Sequence, residues 1–87
     1  MVSEKTRLVN AQGFHMRPAT DFANAMQKYD CDIRIEYNDN QINAKSMMNI
    51  IAAGIRYGSD ITIMCDGKDE EKALREAVDL IESGLSE

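Results

Sequence analysis

The sequence is poor in the residues that build metal centres and disulfide frameworks. It has one histidine and two cysteines. Cys31 and Cys65 stand 34 positions apart with no CxxC pair, which argues against a Cys/His metal site. Both cysteines lie in or beside apolar strand-like runs, a setting for buried free thiols and a reducing compartment. No apolar run approaches the ~20 residues that cross a bilayer. The opening Met1-Val2-Ser3-Glu4-Lys5 has no apolar signal region. A soluble, cytoplasmic protein without membrane insertion is therefore expected. Positive charge is scarce: ten Lys/Arg against fifteen Asp/Glu leave a net charge of −5, which argues against direct nucleic-acid binding. The 87 residues allow one small domain, 1–87. A chain of this size buries only about 60–65% of its unfolded surface, so any chemistry is expected near the surface.

The charge that is present is uneven. Residues 1–59 carry seven Lys/Arg against six Asp/Glu, and residues 60–87 carry three against nine. A neutral to slightly basic face thus sits beside an acidic C-terminal segment. Such a face suits a phosphate or an acidic protein.

Hydrophobic periodicity gives the element order. Val2, Thr6 and Leu8 share one alternating face, with Glu4 as the exception, and predict a strand over 2–9. Asn10 to Gly13 break it. Pro18, the single proline, fits the first turn of a helix. Ala19, Phe22, Ala23 and Met26 follow the i, i+3, i+4, i+7 rule and predict a helix over 16–28. Ile33, Ile35 and Tyr37 alternate with charged residues as a half-buried strand. Asn38-Asp39-Asn40 is turn chemistry, and Ile42 and Ala44 return as a second strand. Ser46 is a favoured N-cap and Gly54 a favoured stop for a short helix between them. Gly58-Ser59-Asp60 turns into a strand through Ile61, Ile63 and Cys65. Asp69 is placed as the N-cap of a last helix, with Leu74, Ala77, Val78 and Ile81 as its apolar stripe and Gly84 as its end. The order is βαββαβα. It predicts an α+β two-layer open-faced sandwich: a four-stranded antiparallel sheet with helices on one face.

His15 then falls at the entrance of the first helix, off its packed face. A helix start offers unpaired backbone amides and partial positive charge, a ready anion site. The same end carries Arg17, whose guanidinium fork suits phosphate oxygens. His15 would supply the nucleophile, and the helix start at Met16, Arg17 and Pro18 the anion cradle. A competing reading makes His15 an ordinary surface histidine. A general-base role lacks a neighbouring carboxylate partner in the sequence. In the short helix, Met47, Met48, Ile50 and Ile51 point around most of the circumference. Part of that apolar surface must stay exposed, and methionine-rich surface suits adaptable binding. Ile50 is the better core candidate among the four.

Gly13-Phe14-His15-Met16-Arg17-Pro18-Ala19-Thr20 resembles the active-site signature of the HPr family, the histidine-containing phosphocarriers of the bacterial sugar phosphotransferase system. Lys45-Ser46-Met47-Met48, running to Gly54 and Gly58, resembles that family's second signature, around a regulatory serine. The similarity spans essentially the whole chain. It implies a monomeric phosphocarrier with a transient phosphohistidine, not a free-standing enzyme, and no cofactor. His15 would accept a phosphoryl group from enzyme I and pass it to sugar permease IIA domains, steadied by Arg17 and the amides near residues 16 and 17. Ser46 would be a target of HPr kinase/phosphorylase, favouring catabolite control protein A and hence carbon catabolite repression. Thr20, Met47, Met48 and Ile51 match the partner-binding patch, with Lys45 and Arg56 at its rim. The alternative is a regulatory paralogue acting mainly through Ser46-phosphate docking to a transcription regulator. Departures from the family pattern are Met16 for a small residue, the larger Phe14, and Asn49, Asn24 and Gln27 at positions bearing other residues in relatives.

Overall fold

The protein was analysed as a computed structural model describing residues 1–85; the last two residues of the expected 1–87 unit lie outside the described residues. Its elements are β1 (Val2–Arg7), α1 (Met16–Met26), β2 (Asp32–Tyr37), β3 (Asn40–Asn43), α2 (Met47–Ala53), β4 (Asp60–Asp66) and α3 (Glu70–Glu82). The strands form one sheet in the order β1-β4-β2-β3, every pair antiparallel. The predicted βαββαβα sandwich is what forms.

Period-two alternation explains the two faces of the sheet. Ile33, Ile35, Ile61, Ile63 and Cys65 point into the core, while Lys5, Arg7, Asp32 and Arg34 stay exposed. The register sets Ile35 opposite Ile63 and Ile33 opposite Cys65, so apolar side chains pair across strands on the covered side. Asn38 and Asp39 both take positive φ, 51° and 66°, as a two-residue hairpin between β2 and β3 requires. Short polar side chains accept that backbone where a branched one would not.

The helices cover the apolar side. Pro18, Ala19, Phe22, Ala23 and Met26 are the buried stripe of α1. In α3 the stripe is Ala73, Ala77, Val78 and Ile81. Leu74 was expected there, but it is only half-buried, at the edge of the core. Ala73, one residue earlier, is fully buried instead.

Element ends differ from the periodicity in explicable ways. β1 stops at Arg7 because Leu8 bonds with the turn before β4: its amide donates to the Ser59 carbonyl and its carbonyl accepts from Gly58. Helix α1 ends at Met26 rather than residue 28. Asp69 does occupy the N-cap position of α3, but with φ 66° and no side-chain cap bond. A capping side chain works from extended backbone. Here Glu70 accepts the Gly67 amide instead, at 3.0 Å, and pairs with the Met1 ammonium. Both cysteines are free and buried. Burial pushes both thiols up, with Cys65 reaching about 12.

Tyr29 and Glu76 tie the C-terminal end of α1 to α3. The phenol donates to the Glu76 carboxylate, which also pairs with Lys28 at 2.7 Å. That hydrogen bond, helped by burial, pushes the Tyr29 hydroxyl up to about 12, and its two donors hold the Glu76 carboxyl below the usual range. For Tyr29 the folded state keeps its proton longer than the unfolded chain, which releases it near pH ~10. The resulting stability is complete below pH ~10 and is lost as pH rises through 12. Urea unfolding at pH 9 and above pH 11 should therefore show a steeper loss for the wild type than for Tyr29→Phe. Equal losses would remove this linkage.

Candidate functional site

The turn that leads into α1 is built on main chain from elsewhere. Gly13 has φ 68° and is packed so closely that a Cβ would lie 2.6 Å from the Ile55 carbonyl oxygen and 3.0 Å from the Arg56 Cα. Only glycine meets both demands. The next amide, of Phe14, donates to that same Ile55 carbonyl at 3.0 Å. The Phe14 ring is buried against Phe22 of α1, edge to face, with centroids 5.5 Å apart. One backbone contact and one aromatic contact thus fix where the helix begins.

His15 is the N-cap of α1. Its backbone is extended, φ −83° and ψ −173°, and its carbonyl accepts the Ala19 amide at 3.0 Å. The side chain makes no cap bond, and the residue is half-exposed. Helix geometry leaves the amides of Met16 and Arg17 without an intrahelical acceptor, and Pro18 has no amide hydrogen to satisfy. No acidic residue sits in the first turn to neutralise its positive end. Met16 and Arg17 are exposed, and Pro18 is buried. The structure therefore brings together the imidazole-bearing residue, two amides without an intrahelical acceptor and a guanidinium-bearing residue at one helix start.

Helix α2 runs antiparallel beside α1. At one end the Gln27 side chain donates to the Lys45 carbonyl at 2.7 Å; at the other Phe14 meets Ile55. Between them the Thr20 hydroxyl lies 2.7 Å from both the Met16 carbonyl oxygen and the Met47 sulfur. Met47 and Ile51 are half-buried and Ile50 is fully buried. Met48 and Met16 are left 66% and 68% exposed, joined by Tyr57 at 66%. Tyr57 and Arg56 come from the turn that supports Gly13. Tyr57 carried no sequence signal, since an isolated aromatic in a Gly-flanked turn has no periodicity. Lys45 does not reach this end: its ammonium bonds the Tyr29 carbonyl, beyond the far end of α1.

Ser46 caps α2, accepting the Asn49 amide at 3.2 Å from extended backbone, φ −111° and ψ 110°. Gly54 closes the helix in the left-handed conformation. Among the described residues no group of three or more His, Cys, Asp or Glu is placed to hold a metal ion. No helix among them is long and apolar enough to cross a membrane.

Comparison with known proteins decides the family. A family model described as the PTS HPr component phosphorylation site matches residues 2–83. The chain belongs to the HPr family. As an HPr protein it is a phosphocarrier of the phosphotransferase system. It is similar to HPr-C-His from Thermoanaerobacter tengcongensis, with 36% identity, TM-score 0.95, and coverage of 100% of this chain and 98% of that one. It is also similar to the phosphocarrier protein HPr of Bacillus anthracis strain Ames, with 34% identity, TM-score 0.88, and coverage of 92% and 95%. The catabolite repression protein Crh of Bacillus subtilis matches at 26% identity and TM-score 0.78 over 95% of each chain, and that protein was seen as a domain-swapped dimer.

Two substitutions test the local geometry. Gly13→Ala forces a Cβ into a left-handed, occupied position and should destabilise the fold by about 2–4 kcal/mol in urea unfolding. Ser46→Ala removes a cap and should cost about 1 kcal/mol. A Gly13→Ala variant as stable as the wild type would contradict the close packing described above.

Proposed function

We propose that His15 is the phosphoryl acceptor, receiving the group from enzyme I and passing it to IIA domains of sugar permeases. The carrying observation is a family histidine that starts a helix yet leaves the adjacent amides uncapped. A ring nitrogen attacks phosphorus, the N–P bond forms as the bond to the donor breaks, and the displaced donor keeps its electron pair. Little covalent work remains for the protein; positioning and charge stabilisation supply the catalysis. The Met16 and Arg17 amides and the Arg17 guanidinium receive the phosphoryl oxygens. The exposed rim of Met16, Met48 and Tyr57, with Thr20, Met47 and Ile51 behind it, is the surface that partners cover. The working unit is the cytoplasmic monomer, with 1–87 acting as one domain.

Ser46 supports a second, regulatory reading. Its half-exposed hydroxyl stands at the α2 start beside Met47 and Met48. A phosphate there adds about −1.5 to −2 charge where a helix end tolerates it. HPr kinase/phosphorylase would add it, weakening enzyme I docking and favouring catabolite control protein A. The presence of His15 favours a carrier over a purely regulatory, Crh-like role.

Incubation with enzyme I and labelled phosphoenolpyruvate should give acid-labile, alkali-stable label that is absent from His15→Ala. Arg17→Ala should stay folded and accept label about tenfold or more slowly. An unlabelled wild type defeats the carrier reading, and an unchanged Arg17→Ala rate removes Arg17 from the mechanism. Acid-stable label from ATP and the kinase, lost in Ser46→Ala, would support the regulatory role.

A further inference from the structure

Thr6 and Asn10 are the polar residues buried among those described, at 9% and 3% exposure. Thr6 is accounted for: its hydroxyl donates to Glu82 at 3.0 Å. Asn10 is not. Its Nδ2 donates to the Gly13 carbonyl, but its Oδ1 has no hydrogen-bond partner among the described residues. A buried polar atom left unpaired is destabilising, so stability alone gives no reason for an amide at this position.

The placement of its donor gives one. The Gly13 carbonyl that accepts Asn10 Nδ2 also accepts the His15 amide, at 3.0 Å. The Gly13 amide in turn donates to the Asn10 carbonyl at 3.0 Å. One oxygen, using both lone pairs, therefore joins the buried amide to the backbone of His15. On its other side the Gly13 peptide is pressed against Ile55 and Arg56.

We propose that Asn10 is a positioning residue for phosphoryl transfer. Its side-chain amide latches the Gly13 carbonyl and so fixes the direction in which His15 leaves the start of α1. This rests on the reading of His15 as the acceptor. Asn10 touches neither the phosphoryl group nor a partner, being buried. It acts through Gly13 on the alignment of the ring with the Met16 and Arg17 amides. Small errors in such alignment slow a transfer step without weakening docking.

The test uses the full chain as substrate of phosphorylated enzyme I. Asn10→Asp keeps the shape but replaces the donor with an acceptor; Asn10→Ala removes both. Each folded variant should show kcat lowered about five- to tenfold, with KM within twofold of the wild type. In the unmodified protein the Asn10 side-chain amide hydrogens should exchange with solvent at least about tenfold more slowly than those of exposed Asn24 and Asn38. Folded variants with wild-type kcat, or with the loss carried by KM, overturn the proposal. So does rapid exchange at Asn10, which decides the matter even where a variant does not fold. A wild type that takes no label on His15 defeats the carrier reading instead, while the exchange measurement still judges the latch.

Discussion

At Gly13 two stretches of main chain meet with no side chain between them, and the placement of the groups at this end of the molecule follows from that contact. The Ile55 carbonyl lies where a Cβ would go and accepts the next amide, from Phe14. The turn that supplies Ile55 is itself held by Leu8, through bonds with Gly58 and Ser59. The loop before α1 and the loop before β4 are therefore one unit, anchored to adjacent strands. A helix start usually frays because its first amides lack partners. Here the backbone leading into it is held on both sides, while the amides of Met16 and Arg17 have no intrahelical acceptor.

The antiparallel run of α1 and α2 gives the molecule two helix starts at opposite ends of one pair. His15 opens α1 beside Ile55, and Ser46 opens α2 beside the C-terminal end of α1. The two caps differ in kind. The Ser46 hydroxyl takes the Asn49 amide, so that start is partly satisfied. The His15 ring takes none. Thr20, next to both the Met16 carbonyl and the Met47 sulfur, links α1 to the first residue of α2. The two helix starts therefore differ in how far their own cap side chains satisfy them.

Much of this was legible in the residues themselves. Pro18 followed by Ala19, Phe22, Ala23 and Met26 located both the helix and its entrance, because proline tolerates only the first turn. Asn38-Asp39 marked the hairpin through their tolerance of positive φ. Ser46 and Gly54 bounded α2 on both sides. What could not be read were effects set by distant chain. Ala73 is buried in the α3 stripe where Leu74 was expected, and Leu74 is only half-buried. Asp69 keeps the cap position but loses the cap bond, since its backbone turns left-handed and Glu70 serves the Gly67 amide. Lys45 reaches Tyr29, sixteen residues away in sequence. Asn10 read only as the first residue of the break after a strand, because nothing local shows that Gly13 would be its partner.

The strand order carries a consequence for synthesis. β1 precedes the other described elements in the chain, yet its neighbour in the sheet among the described residues is β4, at residues 60–66. Val2 must wait for Cys65. Throughout that interval the nascent chain can close its central hairpin, β2 with β3, but its leading segment has nothing to zip onto. Long-range pairing of this kind is slow to form. Pairing of β1 must thus wait until β4 has been made, and until then β1 is an open edge within reach of any other unfinished copy on the same message.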